Sequence, residues 1–306
     1  KLLQQNGVFQ DITGLRSYPD PTTLRRFLTL FGRTVLPRFL RYHDRLRRRL
    51  TPLRSAIFDL DTTVLTVYGK QEKAAVGFNP KKRGRPSFHP LICFEGQSGV
   101  CWEGDWLPGD AHPAPHTVAL LDKAFAKLPP KTQKSCVRAD AAFFDQKIFA
   151  YIEAKRAFYA IVAKIDRGIR NRLAGLRYRA YGSDLAVAEF VHKLDSWTTT
   201  RRFVVIRRPI PDEPSWQMTL FKMKGYTYQV IVTNMDLLPI NVWRFYNRRA
   251  TAELVIRELK EGYAVGKIPR HDWAGNLAYF HLVLFAYNLL IWFRRIYVPK
   301  EYRTFN

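Results

Sequence analysis

Residues 277–293 read LAYFHLVLFAYNLLIWF, a run so apolar that any fold must take it out of water. Crossing a bilayer takes about 20 apolar residues, and this run falls just short. It also carries His281 and Asn288, polar groups that lipid would leave without partners. A core helix is expected, with no membrane. Apolar residues make up 47% of the chain and aromatics 14%, enough to bury a large core around it, so a disordered chain is excluded.

Charge narrows the choice of partner. Lysine and arginine number 50 against 26 acids, a net charge of +24 over 306 residues. An ordinary metabolic enzyme has no use for that excess, whereas a polyanion-binding protein does. With a membrane set aside, the polyanion is nucleic acid. Cys93, Cys101 and Cys136 form no Cys-x-x-Cys pair, which argues against a zinc finger or ribbon. Three cysteines are also too few for a disulfide framework, so a reducing, cytoplasmic setting is expected. The chain opens Lys1-Leu2-Leu3 without a signal-peptide pattern, and both ends are expected to be cuts from a longer protein.

Local patterns divide the chain into four parts. Residues 1–54 read as a basic helical segment, expected to be part of a truncated DNA-binding region. Within it, Asp20 or Thr22 can cap a helix that starts near Thr23 and ends in Arg47-Arg48-Arg49. Its cations suit either a solvated face or a DNA-facing one. Residues 55–169 alternate short apolar strands, at 56–58, 91–94, 100–106, 136–137 and 158–163, with an amphipathic helix at 117–127. That is an α/β pattern. Residues 170–238 read as a β-rich insertion, with Pro209, Pro211 and Pro214 in one connection. Residues 239–306 return to helix: a long one from Asn241 to about Gly262, then the apolar one. The stretch Lys81-Lys82-Arg83-Gly84-Arg85-Pro86 suits a minor-groove strip, and suits better a basic turn between two strands.

Acids are scarce here, so those near strand ends stand out. Asp59 and Asp61 close the first strand, one to each side or along its end. Asp140 closes the strand at 136–137, and Glu253 lies on the helix WRFYNRRATAELVIRELK. On a continuous helical wheel, Arg249, Glu253 and Lys260 fall at ~300°, ~340° and ~320° from Tyr246, one arc of about 60°. A carboxylate on such a face, aimed at two others, can hold paired divalent metals for in-line phosphoryl transfer. Arg, Lys and the Tyr hydroxyl would then contact the phosphate backbone. A surface helix in which Arg249 merely pairs with Glu253 has the same spacing.

The spacing Tyr246-x2-Arg249-x3-Glu253-x6-Lys260 matches the Y-x2-R-x3-E-x6-K (YREK) signature of bacterial insertion-sequence DDE transposases. Upstream, DLDTTVLTVYGKQEKAAVGFNPKKRGRPSFHPL and VRADAAFF resemble the first and second aspartate regions of that family, and PTTLRRFL resembles the segment before its catalytic domain. The resemblance runs from about Pro21 to Phe293. It implies an RNase H-like α/β fold: a mixed sheet flanked by helices, with a β-rich insertion between the second Asp and the Glu. It implies catalysis by Asp61, Asp140 and Glu253, holding two Mg²⁺ or Mn²⁺ ions, with Tyr246, Arg249 and Lys260 on DNA. It further implies a homodimer acting on double-stranded DNA, at the element's terminal inverted repeats and at a target, in the bacterial cytoplasm close to the nucleoid. Relatives with this signature often pass through a hairpin, with a flipped base stacked on a tryptophan of the insertion; Trp197 is the positional candidate. One departure is Ala141-Ala142, where a small Ser-Gly pair is expected after the second Asp.

Two other readings compete. AIFDLDTTVL fits the haloacid-dehalogenase pattern, with Asp59 as nucleophile and Asp61 as acid/base, and Asp105 and Asp110 mimic its later acids. Those later acids come too early in the chain, and a net charge of +24 has no role in hydrolysing small phosphomonoesters. A non-catalytic DNA-binding protein derived from a transposase is the other; the presence of all three acids opposes it. The charge itself generates an expectation. DNA affinity, followed by fluorescence anisotropy, should fall with salt at a log–log slope of several units as many cations displace counterions. Affinity that stays level between low and physiological salt would sink the nucleic-acid reading.

Overall fold

A computed structural model describes residues 7–302 apart from 15, 16, 18, 211–220 and 224. Pro211 and Pro214 lie outside the described residues. The chain begins with helices α1 (Gly7–Thr13), α2 (Pro21–Leu30) and α3 (Leu36–Leu50). Strands β1 (Ser55–Thr62), β2 (Leu65–Thr66), β3 (Ala75–Val76), β4 (Pro86–Phe88), β5 (Leu91–Glu95) and β6 (Cys101–Asp105) follow. Next come α4 (Pro113–Ala126), β7 (Lys134–Ala139), α5 (Gln146–Ala154), β8 (Phe158–Val162) and α6 (Arg167–Gly175). Five strands, β9 (Arg179–Ala180), β10 (Ala186–His192), β11 (Arg201–Pro209), β12 (Phe221–Met223) and β13 (Tyr226–Thr233), precede α7 (Pro239–Asn247), α8 (Ala250–Glu261) and α9 (Trp273–Tyr297).

The expected mixed α/β sheet flanked by helices is what the chain builds. Its order is β6-β5-β1-β7-β8-β13-β11-β10-β9, with β12 paired to β13. β1, β7 and β8 run parallel to one another; β5 on one side and β13 on the other run antiparallel to them, and β6, antiparallel to β5, closes that edge. Parallel neighbours need a crossover, and α5 supplies the one between β7 and β8. The strands of residues 170–238 stand in the same sheet: β13 continues it beside β8 through Ile231↔Val162 and Val232↔Ile161. A second sheet, β2-β4-β3, had no signal in the periodicity, because its strands are only two or three residues long. The basic stretch at 81–86 is the end of the connection from β3 to β4, a turn between strands.

Two apolar layers cover the two faces of the sheet. Phe58, Leu60, Leu91, Cys93, Val137 and Ala139 pack with Leu120, Leu121, Ala124, Ile148, Phe149 and Ile152 of α4 and α5. Ile92, Phe94 and Cys101 pack with Ala252, Val255, Ile256 and Leu259 of α8 and with Phe280, Leu284 and Tyr287 of α9. The alternation along β5, with Leu91 and Cys93 on one side and Ile92 and Phe94 on the other, is the period-two rule of a strand buried on both faces.

α9 is long enough to cross a membrane by length and composition, yet its polar groups are built into the fold. Asn288 is fully buried: its Oδ1 accepts from Cys101 N (2.8 Å), and its Nδ2 donates to Cys101 O (2.8 Å) and reaches His43 Nε2 (2.9 Å). The edge of β6 is thereby completed by a helix side chain, and His43 brings α3 onto the same helix. The arginine-rich helix expected from Thr23 starts at Pro21, capped by Asp20, whose Oδ1 accepts from Thr22 N (2.7 Å). It is interrupted by a π-helical turn at Phe31–Val35. There Gly32 lies so close to α9 that a Cβ would stand 2.1 Å from Ala274 O. Arg47 of the terminal arginine run is not solvated: it is buried, pairs with Asp44 and lies over the ring of Trp102.

Burial holds His43 at a pKa of about 3, with Arg47 adding repulsion, and holds His281 at about 4. Both values lie below the ~6.5 of an unfolded histidine, so the unfolded chain binds the extra protons. Their contribution to stability is complete above pH ~6.5 and is lost as pH falls toward the folded values, by up to about 1.4 kcal/mol per unit per histidine. Thermal melts between pH 7 and 4.5 should show a falling Tm, and His43→Gln with His281→Gln should flatten that fall. The same slope in wild type and double variant would refute the assignment.

Candidate active site

Inside β1 the side chains alternate, so Asp59 and Asp61 share one face, opposite Phe58 and Leu60. The strand runs on through Thr62, well past its apolar run at 56–58, which corrects the expectation that the two acids diverge. Their surroundings differ sharply. Asp59 is 1% exposed and faces Arg138, its register partner on β7. Arg138 Nε and Nη2 each donate to a carboxylate oxygen of Asp59 at 2.6 Å. Arg138 Nη1 donates to Phe245 O in the last turn of α7 (2.8 Å). A carboxylate closed off in this way is structural and cannot serve as a nucleophile, which removes the haloacid-dehalogenase reading.

Asp61 and Asp140 are brought together by strand register. Leu60 and Ala139 are the last parallel pair of β1 and β7, and each acid follows its partner by one residue. Asp140 caps the 3-10 turn Ala141–Phe143, its Oδ1 accepting from Ala142 N (2.9 Å). That turn needs no left-handed residue, so Ala141-Ala142 is compatible with it and the expected Ser-Gly pair is dispensable.

The long helix expected over 241–262 is two helices. Phe245 O, the acceptor that a continuous helix would offer Arg249 N, is engaged by Arg138, and Arg249 N bonds Tyr246 O instead (2.8 Å). α8 restarts at Ala250, so the single wheel does not hold across the break. The break turns Arg249 inward rather than toward DNA. At 3% exposure, its Nη2 donates to Leu60 O (2.7 Å) and stands 3.5 Å from Asp61 Oδ1, while its Nη1 stands 3.7 Å from Glu253 Oε1. Arg249 Nε is buried with no hydrogen-bond partner. Glu253, in the first turn of α8, is 72% exposed.

A cleft of about 820 Å³ opens over this group, walled by Asp140, Tyr246, Arg249 and Glu253 on one side and Lys164 and Tyr228 on the other. Asp61 sits behind Arg249 with 13% of its side chain exposed. Burial lifts the Asp61 pKa to about 6; Asp140 and Glu253 push it up as well, against the pull of Arg249. Burial also lifts the hydroxyl of Tyr246 to about 12, with the three acids opposing its ionisation, so it remains a neutral donor. Lys260, at the exposed end of α8, is lowered by burial and by Lys81, while Asp61 raises it. The structure therefore brings Asp61, Asp140, Glu253, Tyr246 and Arg249 together, while Lys260 lies in the last turn of α8, outside the lining of the cleft.

Trp197 is elsewhere. It is 5% exposed, packed against Phe144, Phe149 and Phe203 and under the guanidinium of Arg201, so it presents no free ring to a base. Lys164 was missed by the sequence reading; its signal is a lone cation two residues beyond the end of β8. Among the described residues, no three carboxylate, histidine or cysteine groups already stand close enough to ligate one metal. The Arg249 guanidinium separates Asp61 from Glu253. Three acids with one buried cation nonetheless form an oxygen-rich, electron-rich donor set of the kind that hard divalent cations satisfy.

A mixed sheet with two acids at adjoining parallel strand ends and a third on a covering helix is the architecture of a DDE transposase domain. The family model described as transposase DDE domain group 1 matches residues 17–306, and the chain belongs to that family. Its fold is similar to a piggyBac transposase, solved as a synaptic complex with hairpin DNA, at a TM-score of 0.50 and 12% identity. The match covers 79% of this chain and 47% of that one, so the chain spans about half the length of that protein. Among curated proteins, none matches this sequence significantly.

The two aspartates of β1 should respond oppositely to neutralisation. Asp59→Asn strands Arg138 in the sheet and should cost about 3–5 kcal/mol. Asp61 carries a pKa above its unfolded value, so its ionised form is a cost present above pH ~6 and absent below pH ~4. Asp61→Asn should therefore raise stability at pH 7 by on the order of 2 kcal/mol and change it little at pH 4. Urea unfolding at both pH values, without added metal, measures both effects. Destabilisation by Asp61→Asn at pH 7 would contradict this electrostatic picture.

Proposed function

We propose that this chain is the catalytic part of a transposase that cuts and joins DNA strands at the ends of a mobile element. The observation that carries this reading is the register of β1 and β7, which sets Asp61 next to Asp140 at a cleft that Asp140 and Glu253 line, in a strongly basic protein. Asp61, Asp140 and Glu253 would hold two divalent cations, Mg²⁺ or Mn²⁺, which activate the attacking oxygen and stabilise the leaving one. Arg249 keeps the backbone of β1 and the acids in place from inside the protein: a positioning residue rather than a surface contact. Tyr246 offers a neutral hydroxyl to the cleft. Lys164 on one wall and Lys260 at the end of α8 are placed to hold phosphate oxygens.

The YREK spacing supports placing the protein among bacterial insertion-sequence transposases, acting in the cytoplasm as a homodimer on terminal inverted repeats and target DNA. If excision uses a hairpin with a flipped base, a residue other than Trp197 must receive that base. A DNA-binding protein without catalysis remains the alternative, and strand nicking separates the two. With full-length protein, labelled element ends and Mg²⁺ or Mn²⁺, Asp61→Asn, Asp140→Asn and Glu253→Gln should each reduce cleavage to background while DNA affinity changes little, since affinity comes from phosphate contacts. Cleavage retained in any of the three, or absent from the wild type on its own element ends, would overturn the catalytic reading.

A further inference from the structure

The connection between β3 and β4, residues 77–85, ends in four cations, Lys81, Lys82, Arg83 and Arg85, with no acid among them. All four are exposed, and among the described residues none of them joins an ion pair. A solvated turn of this composition needs no fixed frame, yet this one has one. Asn79 is buried; its Nδ2 donates to Thr66 Oγ1 (2.9 Å) and its Oδ1 accepts from Lys82 N (3.0 Å). Gly77 lies against Gly109 so closely that a Cβ would stand 1.8 Å from its carbonyl oxygen. Gly84 takes a φ of +74°, the left-handed turn that a β-carbon disfavours. Pro86 is held in β4 opposite Val76, so the segment cannot peel away into a minor groove as a free Gly-Arg-Pro strip.

The position of this frame matters as much as its rigidity. Leu65, Val67 and Phe88 of the small-sheet region pack in the same apolar cluster as Ala252, Val255, Ile256 and Leu259 of α8. The small sheet that frames the loop is thus packed into the same apolar layer as the helix that carries Glu253 and Lys260. Lys260, in the last turn of α8, has its pKa lowered by burial and further by Lys81.

We propose that residues 81–85 form a second DNA-binding element on the α8 side of the sheet, gripping the phosphate backbone of a duplex. This rests on the transposase reading and goes beyond it, since neither the three acids nor the YREK residues include the loop. The prepaid rigidity means that little ordering is required on binding. The loop fixes where the duplex lies relative to Asp61, Asp140 and Glu253.

Lysine acetylation read by mass spectrometry, with and without duplex DNA, tests the placement independently of catalysis. Lys81, Lys82 and Lys260 should be protected by DNA, whereas Lys155, paired with Asp122 on the α4–α5 side, should not. In anisotropy titrations, neutralising Lys81, Lys82, Arg83 and Arg85 to Gln should lower the log–log salt slope by about 3–4, near 0.9 for each lost contact. The same charge removed from α3, by Arg41→Gln, Arg45→Gln, Arg48→Gln and Arg49→Gln, should lower it less. DNA binding with Lys260 protected and Lys81 and Lys82 unprotected, or equal slope losses in the two variants, overturns the loop and leaves the transposase reading standing. Failure of the wild-type protein to bind DNA overturns both.

Discussion

Arg138 uses all three of its guanidinium nitrogens inside the fold, two on Asp59 and one on the carbonyl of Phe245, and the geometry of the cleft follows from that choice. The pair with Asp59 joins two central parallel strands by their side chains as well as by their ladder. The bond to Phe245 fixes the end of α7 against the same strands and diverts an acceptor from the helix. α7 therefore stops, Arg249 turns inward, and α8 starts again with Glu253 in its first turn. A buried ion pair is a weak source of net stability. Here it supplies position: it sets where three separate elements meet.

Above that pair the balance of charge reverses. Asp61, Asp140 and Glu253 converge around a single buried cation, and burial with mutual repulsion lifts the pKa of Asp61 well above its ordinary value. A protein that carries this cost in its native state keeps a site that favours added positive charge. Lys164 lines the cleft, and the chain as a whole is strongly basic. An acidic centre in a cationic protein suits a polyanion whose backbone must be held while one phosphodiester is brought to the acids.

Much of this was readable from residue patterns, and the places where the reading failed share a cause. Short apolar runs ending in acids gave the strands of β1 and β7, and a 17-residue apolar run with two polar residues marked α9, because period and burial are local properties of a chain. Asp59 and Asp61 could not be told apart, since both lie on one strand face and only the strand opposite shows which one meets an arginine. The helical wheel put Tyr246, Arg249 and Glu253 on one face, and all three line the cleft, but it ran through a break in the helix and gave Arg249 the wrong direction. No local rule says that a carbonyl in the helix will be claimed by a side chain more than 100 residues away. Trp197 fell to the same limit: a tryptophan in a β-rich segment looks alike whether its ring is offered to a base or closed in by Phe144, Phe149 and Phe203.

The sequence by itself determined the α/β class and the core helix, and it singled out Asp61, Asp140 and Glu253 and a polyanion as the expected site and partner. Each of these depends on residue type and spacing along the chain. Tertiary structure alone decided that Asp59 is locked to Arg138 while Asp61 sits beside Asp140 behind Arg249, that Arg249 is internal, that Lys164 joins the wall of the cleft, and that a sheet of two- and three-residue strands frames a basic loop. Those are matters of register and of contacts between distant segments, and their energies arise only once the strands and helices are packed together.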